Sequence, residues 1–151
     1  MSKQETMSSK ETRELYAIGI DVGIVSGFAV FDRGEKRLIQ VTSLKLFMLL
    51  ERIRAWANNN EIRVYIENPN TYRRFKGNEK QNSAKMAGSG AVKQTYKHIV
   101  ELLEYDKIPF TPVSVIGTLK KLDAETFAKY TKWEGKTNEH GRDAAMIVFN
   151  R

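Results

Sequence analysis

The stretch YAIGIDVGIVSGFAVFD, residues 16–32, decides how this chain is read. Its first part, Tyr16 to Ile20, is short, apolar and bounded by polar sequence, which predicts a strand. Val22-Gly23-Ile24-Val25-Ser26-Gly27 reads as a turn and Phe28 to Asp32 as a second strand. Arg33-Gly34-Glu35-Lys36 supplies another turn, and Arg37 to Thr42 a third strand. Three strands joined by two tight turns form an antiparallel meander.

Beyond the meander the period changes. Ser43 is placed to cap a helix in which Leu46, Leu50, Ile53 and Ala57 recur at helical spacing, and Asn58-Asn59-Asn60 ends it. Phe47, Met48 and Trp56 on this helix read as core, with an intermolecular contact as the alternative. Glu61 to Glu67 alternates strictly, with Ile62, Val64 and Ile66 on one face and Arg63, Tyr65 and Glu67 on the other, until Asn68-Pro69 stops it. A basic loop with Gly77, Gly88 and Gly90 follows. A helix from about Ala91 to Tyr105 then buries Val92, Tyr96, Ile99, Leu102 and Leu103. Ile108 to Val113 is a fifth strand, and short helices are expected near Ser114–Lys121 and after Asp123. Asn138 to Asn150 is a last helix, with Ala144, Ala145, Ile147 and Val148 apolar. A helical crossover between strands implies parallel pairing. The predicted class is therefore α/β: a mixed five-stranded sheet, three antiparallel strands followed by parallel ones, with helices on both faces.

Composition narrows the function classes. A chain of 151 residues with 41% hydrophobic and 28% charged residues is sized and composed for one folded domain. No stretch approaches the roughly 18 apolar residues that span a bilayer, and the apolar run near the start lacks the flanks of a signal peptide. The absence of cysteine excludes disulfides, thiolate nucleophiles and cysteine–zinc sites, and permits a cytoplasmic setting. Residues 1–14 carry three basic and three acidic side chains and almost nothing apolar. They read as a mobile tail ahead of a single domain at 15–151.

The net charge of +7 points to an anionic partner, nucleic acid first. From Tyr72 to Lys121 there are ten Lys or Arg against four Asp or Glu, so nearly all the excess lies in one third of the chain. The densest part, YRRFKGNEKQNSAKMA at residues 72–87, interleaves Arg73, Arg74, Lys76, Lys80 and Lys85 with Tyr72 and Phe75. It reads either as a solvated loop or as a phosphate-contacting loop whose aromatics stack on unpaired bases.

Three carboxylates stand where chemistry could use them. Asp21 follows the first strand, Glu67 ends the fourth, and Asp143 lies in the last helix one turn after His140. If strands one and four are neighbours, Asp21 and Glu67 leave the sheet side by side. If the last helix packs across them, Asp143 and His140 complete a cluster. Packed carboxylates repel unless a cation neutralises them, and oxygen ligands with one imidazole suit Mg²⁺ or Mn²⁺. Two such ions about 3.5–4 Å apart can drive phosphodiester hydrolysis. Each residue also has a structural alternative: Asp21 as a turn former, Glu67 as a solvated strand end, Asp143 as the partner of Arg142, and His140 as an ordinary helix-start histidine.

Taken in order, these motifs resemble the RuvC-type Holliday junction resolvases of the RNase H-like superfamily. Ile18-Gly19-Ile20-Asp21-Val22-Gly23, followed by Ser26-Gly27-Phe28-Ala29-Val30, is similar to the family's Gly-Ile-Asp-Pro-Gly opening, with Val22 in place of the usual proline. Val64-Tyr65-Ile66-Glu67 is similar to the strand with the catalytic Glu, and His140-Gly141-Arg142-Asp143-Ala144-Ala145 to the final-helix motif. Thr118-Leu119-Lys120-Lys121 is similar to the basic segment whose lysine contacts DNA. The resemblance spans about Tyr16 to Phe149. It implies a homodimer that nicks two strands of a four-way DNA junction symmetrically, with two Mg²⁺ (or Mn²⁺) ions per site and no small-molecule cofactor. It also implies that Asp21, Glu67, His140 and Asp143 are both catalytic and metal-binding: Asp21 bridges the ions, Glu67 and Asp143 each hold one, and His140 completes a shell or moves a proton. Activated water would leave a 5′-phosphate and a 3′-hydroxyl. Lys120, Lys121, Arg73, Arg74, Lys76 and Lys85 would neutralise phosphates. Tyr72 and Phe75 come later after the Glu than the family's aromatic does, and sit in a more basic loop.

Three other readings compete. The same scaffold serves nucleases that act on other branched DNA, on RNA–DNA hybrids or on RNA. A non-catalytic nucleic-acid-binding relative is the second, and retention of all three carboxylates argues against it. The third is an unrelated α/β protein whose basic loop binds an acidic partner, which would leave the ordered motif series as coincidence.

Overall fold

The computed structural model describes residues 14–71, 79–114 and 121–151. Tyr16–Asp21 (β1), Val25–Asp32 (β2), Arg37–Lys45 (β3), Ile62–Glu67 (β4) and Phe110–Val113 (β5) form one sheet, in the order β3-β2-β1-β4-β5. β1 pairs antiparallel with β2 and β2 with β3, while β4 runs parallel to both β1 and β5. This is the expected mixed sheet, with the meander and both crossovers in place.

Alternation along the strands builds two cores. Ile18, Ile20, Phe28, Val30, Ile62, Val64 and Ile66 face Leu49 and Ile53 of α1 (Leu46–Asn59) and Ile99 and Leu103 of α2 (Glu79–Tyr105). Ala17, Ala29 and Phe31 face Phe127 of α3 (Ala124–Thr131) and Ala144, Ala145, Ile147 and Val148 of α4 (Glu139–Val148). Full burial of such a side chain as Ile or Leu contributes about 1.5–3 kcal/mol. Among the described residues, no helix is long and apolar enough to cross a membrane.

Several sequence expectations need correction. β3 runs to Lys45, so Ser43 is not a helix cap; it pairs with Gly27 in the ladder, and its hydroxyl accepts a hydrogen bond from Asn138 Nδ2 at 2.7 Å. Lys45 precedes α1 and makes no side-chain cap bond. Between β2 and β3 the register steps from Val30↔Gln40 to Phe31↔Leu38, which leaves Ile39 as a bulge. Phe47 and Met48 are exposed, because the stripe centred on Leu49 and Ile53 turns them outward. Trp56 does pack inward, with its ring centroid 5.1 Å from that of Tyr16.

α2 begins at Glu79 rather than near Ala91. Its first part has no apolar stripe and contains Gly88 and Gly90, which suggested a loop. Glu79, Lys80, Gln81, Ala84, Lys85, Met86 and Ala87 are strong helix formers, and their propensity prevails. The short helix expected at 114–121 falls largely on 115–120, outside the described residues; Ser114 and Lys121 are not helical. Residues 1–13 of the expected tail are also outside them. Glu14 is held to the sheet, with its carboxylate 2.8 Å from Arg63 Nε and 3.7 Å from Arg33 Nη1.

Candidate active site

The site starts from how closely α4 lies on the sheet. Gly19 and Gly27 occupy the α4 face of β1 and β2, where alternation would otherwise place side chains. A Cβ on Gly19 would collide with the carbonyl oxygen of Ala144, and one on Gly27 with that of His140. On the helix, a Cβ on Gly141 would lie 3.0 Å from the Thr42 carbonyl oxygen. Glycine on both surfaces lets helix backbone rest on strand backbone. The helix start is fixed by Asn138, whose side chain accepts from the Gly141 N–H at 2.8 Å and donates to Ser43. His140 and Asp143 are thereby carried to the end of β1.

Asp21 closes β1 on this same face, and it is only 7% exposed. The parallel register sets Ile20 opposite Ile66, so Asp21 and Glu67 leave neighbouring strands together, about 4.8 Å apart at the backbone. Glu67 is fully buried and Asp143 is 6% exposed. The β4–β5 ladder extends one bond past Glu67, the Asn68 N–H donating to the Val113 carbonyl at 2.9 Å, before Pro69–Thr71 forms a 3-10 turn. The β1–β2 turn is tightened by Ser26, whose hydroxyl accepts from the Gly23 N–H and donates to the Gly23 carbonyl, both at 3.1 Å.

The four acidic and imidazole residues singled out by sequence therefore converge on one end and one face of the sheet. His140 and Asp21 are in contact, with Nδ1 3.4 Å from Oδ2, and the His140 side chain is 56% exposed. Asp143 does not pair with Arg142: its Oδ1 accepts the backbone N–H of Lys121 at 2.8 Å. Arg142 instead donates from Nε to the Leu122 carbonyl at 2.7 Å, and from Nη1 to the carbonyl and hydroxyl of Thr137 at 3.1 and 2.9 Å. Asp123 then caps α3 by accepting from the Thr126 N–H at 2.7 Å. That hydrogen bond, aided by the Arg142 charge, holds the Asp123 carboxyl below its ordinary range.

As the side chains stand, no three His, Asp or Glu residues among those described gather tightly enough to hold a metal ion. The donor set still suits a hard divalent cation: three carboxylates withdrawn from water at one sheet end, one imidazole and no soft ligand. Lys121 meets the site through its backbone N–H, and its side chain is exposed. Tyr72, Arg73, Arg74, Phe75, Lys76 and Lys120 lie outside the described residues, and of Lys85 only the backbone, within α2, is described. Sequence reading missed the glycine seam and the part played by Arg142. The seam had a visible signal in Gly19, Gly27 and Gly141, whereas Arg142 acts through backbone groups that the sequence does not mark.

No family model matches the sequence, and no curated protein matches it. A solved structure, that of T. thermophilus RuvC in complex with a Holliday junction substrate, is similar in fold. Its TM-score is 0.57 at 14% sequence identity, and the match covers 89% of this chain and 91% of that one. With a sheet of order β3-β2-β1-β4-β5, one parallel crossover on each side of β4 and α4 laid across the meander, the chain has the RNase H-like fold.

Proposed function

We propose that the chain is a divalent-metal-dependent endonuclease that resolves four-way DNA junctions by paired phosphodiester hydrolysis, acting as a homodimer in the cytoplasm. One observation carries the reading. Asp21 and Glu67 end adjacent parallel strands on the face covered by the helix that bears His140 and Asp143. The similar T. thermophilus RuvC structure, which contains a Holliday junction substrate, supports the choice of DNA class.

In this reading Asp21, Glu67 and Asp143 would hold Mg²⁺ or Mn²⁺, with His140 beside Asp21. When bound, the ions lower the pKa of the attacking water and neutralise charge on the phosphate. The chain's own groups do the rest. Buried carboxylates on rigid strand ends and a pinned helix hold their oxygens in fixed directions. His140, turned to Asp21 through Nδ1 and otherwise open to solvent, moves a proton to the leaving oxygen. Lys120, Lys121, Arg73, Arg74, Lys76 and Lys85 neutralise phosphates, and Tyr72 and Phe75 stack on bases exposed at the branch.

The test is single-turnover cleavage of a labelled four-way junction in Mg²⁺ and in EDTA, beside linear duplex, a flap and an RNA–DNA hybrid. Paired, metal-dependent nicks confined to the junction are expected. Preferential cutting of the hybrid or flap would move the substrate assignment to another RNase H-like nuclease, and binding without cutting would contradict the enzyme reading. The basic loop has its own test. Arg73→Ala with Arg74→Ala should weaken junction binding and lower the slope of log K against log salt by about 2, near 0.9 per lost phosphate contact. An unchanged slope would remove the loop from the DNA interface.

A further inference from the structure

The residues 121–123 form a short strap beside the site, and each is tied at a different point. The Lys121 N–H donates to Asp143 Oδ1 at 2.8 Å. The Leu122 carbonyl accepts from Arg142 Nε at 2.7 Å. Asp123 caps α3 through the Thr126 N–H. Lys121 adopts the left-handed region, with φ of 57, which non-glycine residues occupy only where the surroundings enforce it. The bonds on either side are that enforcement: the acceptor for its N–H comes from position 143 of α4, and the donor to the next carbonyl comes from position 142. The Leu122 side chain also packs on the core that α4 covers.

We propose that Arg142 is a positioning residue: by gripping the Leu122 carbonyl it holds the strap so that the Lys121 N–H fixes the Asp143 carboxylate. The Arg142 guanidinium spans both ends of this arrangement, because its Nη1 binds the Thr137 carbonyl and hydroxyl just ahead of α4. Its planar fork suits two divergent acceptors, which a single ammonium does not satisfy together. One consequence is that Asp143 Oδ1 is oriented by a backbone donor. Another is that the exposed Lys121 side chain departs from the residue that fixes Asp143, within one side-chain length of it. Outer partners that orient a ligating carboxylate set its affinity and direction without touching the substrate. The inference about Asp143 as a working carboxylate rests on the nuclease reading; the strap itself does not.

Two measurements separate these. Amide hydrogen exchange at Lys121, followed by NMR, reads the strap with no substrate present. Protection is expected in the unaltered chain. It should fall at least about tenfold in Asp143→Ala, which removes the acceptor, and in Arg142→Met, which keeps the aliphatic stem and loses the donors. Single-turnover cleavage of the four-way junction should fall about 10–100-fold in Arg142→Met, with a raised half-saturating Mg²⁺ concentration and junction binding in EDTA nearly unchanged. Arg142→Lys, which keeps one donor for the Leu122 carbonyl, should recover part of both the protection and the rate. Unaltered Lys121 protection in Arg142→Met, or no recovery in Arg142→Lys, would overturn the proposal. If the unaltered chain cuts no branched DNA, the nuclease reading fails, and the exchange data still decide the strap.

Discussion

Asp21→Asn should reduce junction cleavage by about 10³-fold or more while leaving junction binding close to that of the unaltered chain. The substitution keeps size and hydrogen-bonding shape but removes a charge from a residue that is 7% exposed. Asp21 would help to hold a cation that stabilises the transition state by several kcal/mol, and each 1.36 kcal/mol is about tenfold in rate. Binding rests on the separate excess of Lys and Arg, so it should persist. Folding should persist too, because removing a buried negative charge relieves desolvation. Cleavage that survives in this variant would mean that the acidic cluster is structural.

The second large effect concerns packing. Gly27→Val should cost about 1–3 kcal/mol or more and lower the melting temperature by roughly 5–10 °C. Valine is a better strand former than glycine, so propensity alone predicts stabilisation. Contact decides otherwise: even a Cβ at Gly27 collides with the His140 carbonyl oxygen, and it would lie 3.0 Å from the Ala144 Cβ. Backbone cannot step aside as a flexible side chain would, so the start of α4 must lift and carry His140 and Asp143 from Asp21. Cleavage should fall with stability. Gly90→Ala is the control. Its new Cβ would meet nothing within 4 Å, and it should stabilise α2 by about 0.5–1 kcal/mol. Thermal unfolding of both variants checks the pair; a Gly27→Val protein as stable as its parent would contradict the seam.

Much of this was legible in the sequence because alternation has physical force. Ile62, Val64 and Ile66 could be assigned to one face and Glu67 to the other from spacing alone, and both cores follow that assignment. Asp21 and Glu67 were legible as strand ends, and the parallel register then brought them together. What escaped has equally physical causes. Ser43 looked like a cap because hydroxyls commonly serve there, yet a longer ladder and the Asn138 side chain claim it. The first turns of α2 were hidden because propensity without an apolar stripe leaves no period. The Arg142 strap joins residues some 20 positions apart through carbonyl and N–H groups that every residue carries. Asp143 was marked by its place one turn after His140 in the last helix, but nothing in the sequence marked the groups that orient it.

The proposed cation site joins Asp21, Glu67 and Asp143. It is tested most directly by titrating Mn²⁺ into the unaltered chain and into Asp21→Asn, Glu67→Gln and Asp143→Asn, with the free ion followed by electron paramagnetic resonance. Saturable binding to the unaltered chain is expected, weakened about tenfold or more by each single substitution, since all three carboxylates would serve the same ions. Mn²⁺ binding that is equal in all four proteins would contradict it.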